Sequence, residues 1–160
     1  MTDPDRLRLA AFDDEDLGVI AAYLQDAVLK VGDIVYLPGD RRFALAMNRF
    51  SWERAENEAD VRNNQAFERR RAALTFDRVL KVKTSGIDRR QADMVLELLT
   101  VTFEPAEAPA GNVTLVFAGG AAIQLEVEVI EARLADLGPA WATKARPSHD
   151  LADSETKPGA

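Results

Sequence analysis

One stretch does most to constrain the fold, Asn112 to Ile130, NVTLVFAGGAAIQLEVEVI. It divides into two strands around Gly119-Gly120. In its second half Ile123, Leu125, Val127 and Val129 alternate with Gln124, Glu126 and Glu128. That is the pattern of a strand with one buried and one wet face. The register follows from the same alternation. A two-residue loop, Gly119-Gly120, would set Leu115 opposite Gln124 and Val113 opposite Glu126. A three-residue loop, Ala118-Gly119-Gly120, sets Leu115 opposite Ile123 and Val113 opposite Leu125. A slip of one residue turns every side chain to the other face, so burial selects the three-residue loop. Glycine supplies the positive φ such a loop needs.

Leu7 to Ala11 suits a short first strand. The run FDDEDLGVIAAYLQDAVLKVGD then predicts a helix over 14–29. Asp13 or Asp14 is its N-cap, and Glu15 and Asp16 complement the dipole in the first turn. Leu17, Ile20, Ala21, Leu24 and Val28 make its apolar stripe. Ile34–Leu37 and Arg42–Phe50 read as strands about a Pro38-Gly39-Asp40 turn. Residues 53–68 read as a long exposed loop. Leu74–Lys83 reads as one strand, with Arg78 on its apolar side marking a strand end, a bulge or an ion pair. Val95–Phe103, apolar at nearly every position, reads as a strand buried on both faces. Glu131–Leu137 is a short helix or strand extension, stopped by Gly138-Pro139.

Six or seven strands after one helix predict an α+β fold. The sheet is antiparallel and curved, or a partial barrel, with the N-terminal helix over part of it. A pleckstrin-homology-like barrel fits the same pattern. At 160 residues and 47% hydrophobic one domain is expected, over 1–149, with an arm from about 139 and a disordered tail at 150–160.

Composition excludes some chemistry. The absence of cysteine rules out disulfides, thiol nucleophiles and thiolate metal sites. The first residues, MTDPDRLRLA, lack the shape of a signal peptide, and no apolar run approaches a membrane span. A cytoplasmic location is the expectation. The one histidine, His149, stands near the tail, and no Gly-x-Ser-x-Gly elbow precedes any serine, so no catalytic triad is drawn. The Asp13–Asp16 run lacks the spacing and glycine of a calcium loop and reads as helix capping. Gly119-Gly120 lacks the Lys-Ser/Thr and following helix of a phosphate loop. No catalytic residue, metal or cofactor is assigned.

The net charge of −7 is unevenly spread. Residues 61–90 hold nine basic and three acidic residues, whereas 91–130 hold six acidic and none basic. Arg69, Arg70, Arg71, Lys81, Lys83, Arg89 and Arg90 make the basic block. A solvated face paired with the 91–130 acids is the favoured reading. Nucleic-acid binding is disfavoured, because the protein is acidic and the block has few aromatics for stacking. Trp52 and Trp141, near segment ends, plug the sheet or anchor a partner.

The stretches RRFALAMNRFSWE (Arg41–Glu53), LTFDRVLKVKTSGIDR (Leu74–Arg89) and GGAAIQLEVEVIEARLADLGPAW (Gly119–Trp141), followed by RPSHD to Asp150, resemble a family of short bacterial proteins grouped as a domain of unknown function. The resemblance covers nearly the whole chain except the termini. It implies a single bacterial cytoplasmic domain and carries no activity, cofactor or catalytic residue.

The resulting expectation is a non-enzymatic binding or regulatory domain. It contacts a protein partner through the 53–71 loop, the C-terminal arm, Arg69, Arg70, Arg71, Arg89 and Arg90, and Trp52 and Trp141. The rival is an enzyme or small-molecule-binding protein with a pocket in the curved sheet, lined by Arg49, Arg78 or Trp141. Nucleic-acid binding through the arginines is third.

Overall fold

A computed structural model of the chain describes residues 6–50, 67–138 and 141–143. Trp52, His149, most of the 53–68 loop and the 150–160 tail lie outside them.

Strand β1 (Arg8–Ala11) leads into helix α1 (Asp14–Tyr23). Asp13 caps the helix, its Oδ1 accepting from the Asp16 N–H at 2.8 Å. Leu17, Ile20 and Leu24 are buried, and the helix packs against β1 and the strand over Val95–Pro105. It ends earlier than the predicted residue 29. Asp26 turns left-handed (φ 67°) and its N–H donates to Leu98 O at 2.9 Å. Val28–Lys30 becomes strand β2, facing Glu97 to Val95. Sheet pairing here overrides a helical stripe that Val28 happened to continue.

The remaining strands are β3 (Ile34–Leu37), β4 (Arg42–Phe50), β5 (Phe67–Phe76), β6 (Val79–Ser85), β7 (Val95–Pro105), β8 (Gly111–Phe117), β9 (Ala122–Val127), β10 (Ala132–Asp136) and β11 (Trp141–Thr143). They form one antiparallel sheet in the order β1-β10-β5-β4-β2-β7-β8-β9-β6, with β11 on β5 and β3 on β4. The class is α+β, but with eleven strands among the described residues rather than six or seven. The sheet is also open: β1 and β6, at its two ends, do not pair, so no closed barrel forms. The strand expected over Leu74–Lys83 is two, broken at Asp77-Arg78, where Arg78 takes φ 62°. Glu131–Leu137 supplies a strand.

The hairpin of β8 and β9 has the predicted register. Leu115 faces Ile123 and Val113 faces Leu125, and the Phe117 N–H donates to Ala121 O at 2.9 Å across a loop of Ala118–Gly120. Gly119 and Gly120 sit at φ 83° and 89°. Strand β7 departs from expectation. Its register shifts between Leu98 and Thr100, so Leu96 and Leu98 are buried before the shift and Val101 after it. Val95 and Leu99 are 39% and 45% exposed. A continuous apolar run here marks a bulge that changes phase, not two buried faces.

The core is a single cluster that takes residues from α1 and both halves of the sheet, including Phe43, Leu45, Leu74, Phe76, Leu115, Phe117 and Leu125. One cluster can be shared this way because the sheet curls until β6 comes back towards β3 and β4.

Candidate functional site

The return of β6 is fixed by three connections that meet at one end. The β3–β4 turn ends at Arg41 (φ 52°), the β5–β6 turn holds Arg78 (φ 62°), and residues 128–131 join β9 to β10. Left-handed backbone costs a side-chain-bearing residue about 1–2 kcal/mol. Here hydrogen bonds offset it. The Val79 N–H donates to Arg41 O at 2.8 Å, the Glu128 N–H to Arg78 O at 3.0 Å, and the Asp77 N–H to Glu131 O at 2.9 Å.

Side chains repeat the stitching. Arg42 Nε lies 2.8 Å from Asp77 Oδ1, Arg133 Nη1 3.0 Å from Asp77 Oδ2, Arg41 Nη1 3.2 Å from Glu128 Oε2 and Arg78 Nε 3.3 Å from Glu131 Oε1. The hydrogen bond from Arg42 to Asp77, with the Asp77 charge behind it, holds that guanidinium above its ordinary value. Each arginine here has a carboxylate, so the polar hollow of about 300 Å³ between them presents no surplus charge. It is a clamp.

Beyond the clamp the two banks separate. β6 makes one backbone bond towards β4, at Val79, and no strand pairing with β3. The seam opens into a cleft of about 420 Å³. Ile34, Tyr36 and Phe43 line one bank, and Val82, Thr84 and Ile123 the other. The connection after β6 closes the far end with Ile87 and Arg89, and Val31 and Gly32 meet it there. The Val31 N–H donates to Met94 O at 2.9 Å and the Gly32 N–H to Ala92 O at 2.8 Å. A Cβ on Gly32 would stand 3.1 Å from that same Ala92 oxygen, a tight contact that glycine avoids. Most of the side chains along its banks are apolar. Tyr36 and Thr84 bring hydroxyls, and Arg89 a cation. Such a lining suits a ligand with an apolar body and an anionic group.

The basic block does not form one surface. Arg69 and Arg70 are 1% and 2% exposed, buried rather than solvated. Arg49 is fully buried and grips Asp136 with both arms, Nε to Oδ1 and Nη2 to Oδ2, each at 2.9 Å. Arg70 Nε lies 3.8 Å from Asp136 Oδ2, and the Leu7 N–H donates to the same oxygen at 2.7 Å. Arg69 stacks over Phe50 at 5.5 Å. Arg71 is half-buried and pairs with Asp33 and Asn48 at 3.1 and 3.2 Å. These partners lie outside the 91–130 acids, which corrects the expected pairing. Lys81 does stand opposite Glu126 across β6 and β9.

Arg90 is exposed and bonded to Asp88, whose carboxyl it holds below the usual range, mainly through that side-chain hydrogen bond. Of the predicted site residues, Arg89 lines the cleft. Trp141 contributes backbone to β11, opposite Arg69. The rival pocket's Arg49 and Arg78 lie elsewhere, one buried against Asp136 and the other in the clamp.

Elsewhere, burial first and a hydrogen bond with Asp26 second push the Glu97 carboxyl up. No group of three or more His, Cys, Asp or Glu suited to a metal occurs among the described residues. No helix among them is long and apolar enough to cross a membrane.

No curated protein and no solved structure matches the chain. A family model does match, over residues 7–149, under the description protein of unknown function (DUF2948). With nearly the whole chain covered, including the sheet, the clamp and the cleft, the protein belongs to that family of unknown function.

Proposed function

We propose that this is a non-enzymatic, cytoplasmic binding domain whose ligand occupies the seam cleft, with Arg89 meeting an anionic group. The carrying observation is a 420 Å³ cleft whose described lining has mostly apolar side chains and one cation, within the size range of ligand sites. The clamp keeps the cleft preformed, so little ordering cost falls on binding. The buried Arg69 and Arg70 leave the basic block too small for the surface first expected of it. That favours the cleft over an arginine patch, and it weakens a nucleic-acid reading further.

The test is a titration with anilinonaphthalene sulfonate, an apolar ring system with one anionic group. Fluorescence should rise on binding. Thr84→Trp, at an exposed position on the cleft bank, should abolish the rise, and Arg89→Glu should weaken binding roughly tenfold, the scale of one lost charge contact. No enhancement, or enhancement that both variants leave intact, rejects the cleft as the site.

A further inference from the structure

We infer that the occupant is an extended segment of a partner protein, added as a strand to the free edge of β6, with acidic side chains on either side of an apolar one. The inference rests on the cleft being the binding site and names what enters it.

Strand β6 is the last in the sheet and pairs with β9. Its other edge meets the chain before β4 once, at Val79, and no strand covers the rest among the described residues. Lys81, Lys83, Thr84 and Ser85 are exposed. An unpaired edge offers a row of backbone donors and acceptors, a template for another strand.

The side chains choose which strand. Successive residues point to opposite faces, so Lys81 and Lys83 share the outer face while Val82 points into the cleft, which it lines. A second copy of β6 laid antiparallel on this edge would set lysine against lysine, and like charges directly opposite destabilise a pair. The edge is thus protected against its own kind. An acidic strand meets the reverse situation. The fold contains one example on the other edge: β9 sets Glu126 opposite Lys81 and Leu125 opposite Val82. Lys83, however, faces the neutral Gln124, so the positive charge of the edge is not fully balanced within the fold.

A strand with the acidic–apolar–acidic pattern of Glu126-Val127-Glu128 therefore fits the vacant edge. Its acids lie beside Lys81 and Lys83, and its apolar side chain enters the cleft next to Val82. An acidic residue further along reaches Arg89, which is exposed at the far end. Cross-strand charge pairs set the register, and the backbone supplies affinity independent of sequence.

The experiment uses the full chain and three labelled, acetylated peptides, read by fluorescence anisotropy. One alternates glutamate and valine, one alternates lysine and valine, and one is the acidic peptide with every second backbone nitrogen methylated, prepared in both phases. The acidic peptide should bind and displace anilinonaphthalene sulfonate, the lysine peptide should not bind, and one of the two methylated phases should fail. Lys81→Glu/Lys83→Glu should weaken the acidic peptide about tenfold or more, from two reversed cross-strand pairs, and admit the lysine peptide. Should that variant fold poorly by circular dichroism, the methylated peptides decide on the wild-type chain. Equal binding of both methylated phases, or of acidic and basic peptides, overturns strand addition. Dye binding without peptide binding overturns this inference and leaves the cleft standing. Absence of both overturns the two together.

Discussion

Asp136 shows how one side chain can hold several elements. Its carboxylate accepts two hydrogen bonds from Arg49 on β4 and one from the Leu7 N–H just before β1, and lies close to Arg70 on β5. Arg49 and Arg70 face each other across β4 and β5, so two buried cations share the acid. Removing one partner of a buried pair leaves a charge out of water without its counterion. Asp136→Ala should lower unfolding free energy by about 3–5 kcal/mol, measured by urea denaturation. A loss below about 1 kcal/mol, the worth of a surface pair, would show that the site tolerates the uncompensated charge. Signals of this cluster were present in the sequence. Arg49 continues the row Phe43, Leu45, Met47; Arg70 continues the row Phe76, Leu74, Ala72; Asp136 continues Ala132, Leu134. All three rows are inner-face positions. Charge alone suggested a solvated surface for Arg70, and only the pairing of the strands brings the three rows to one end of the core.

At the scale of elements, the hairpin was legible because its pattern has one solution. Deleting Ala122 from β9 moves Ile123, Leu125 and Val127 one position towards the loop and, with the three-residue turn kept, turns them to the wet face. Each buried aliphatic side chain contributes about 1.5–3 kcal/mol, so the loss approaches the whole stability of an ordinary domain. The variant should show no cooperative thermal transition. A melting temperature within a few degrees of the parent would mean the strands hold register at the expense of the turn. In contrast, Gly119→Ala meets no neighbouring atom and bears only the left-handed backbone cost. Other elements were obscured by ambiguity of period. Val28 extends a helical stripe and equally begins β2. Leu99 fills a bulge in β7, so its run reads as two-sided burial. The cleft was hidden for a different reason: Ile34, Phe43, Val82 and Ile123 look like core, and only the incomplete return of β6 leaves space between them.

The whole molecule depends on what holds that return. Asp77 receives Arg42 and Arg133 while its N–H binds Glu131 O. Asp77→Ala should cost about 1–2 kcal/mol in stability, the range for charge-assisted bonds discounted for partial exposure. It should also speed amide exchange in β6 far more than in the interior strand β8. Equal acceleration in both strands would show that the clamp stabilises the fold generally and does not fasten the seam. The pairing of β1 with β10 works on another axis. Leu7 and Asp136 bond across 129 positions of sequence, and β1 lies antiparallel to β10. During synthesis β1 emerges with α1 to pack on and no strand to pair with, because its strand partner β10 follows β2 to β9. Contacts so distant are slow to form. The inner face that β1 shares with β10 thus stays open until the chain has been made as far as Asp136, long after α1 and β4 have found their own partners.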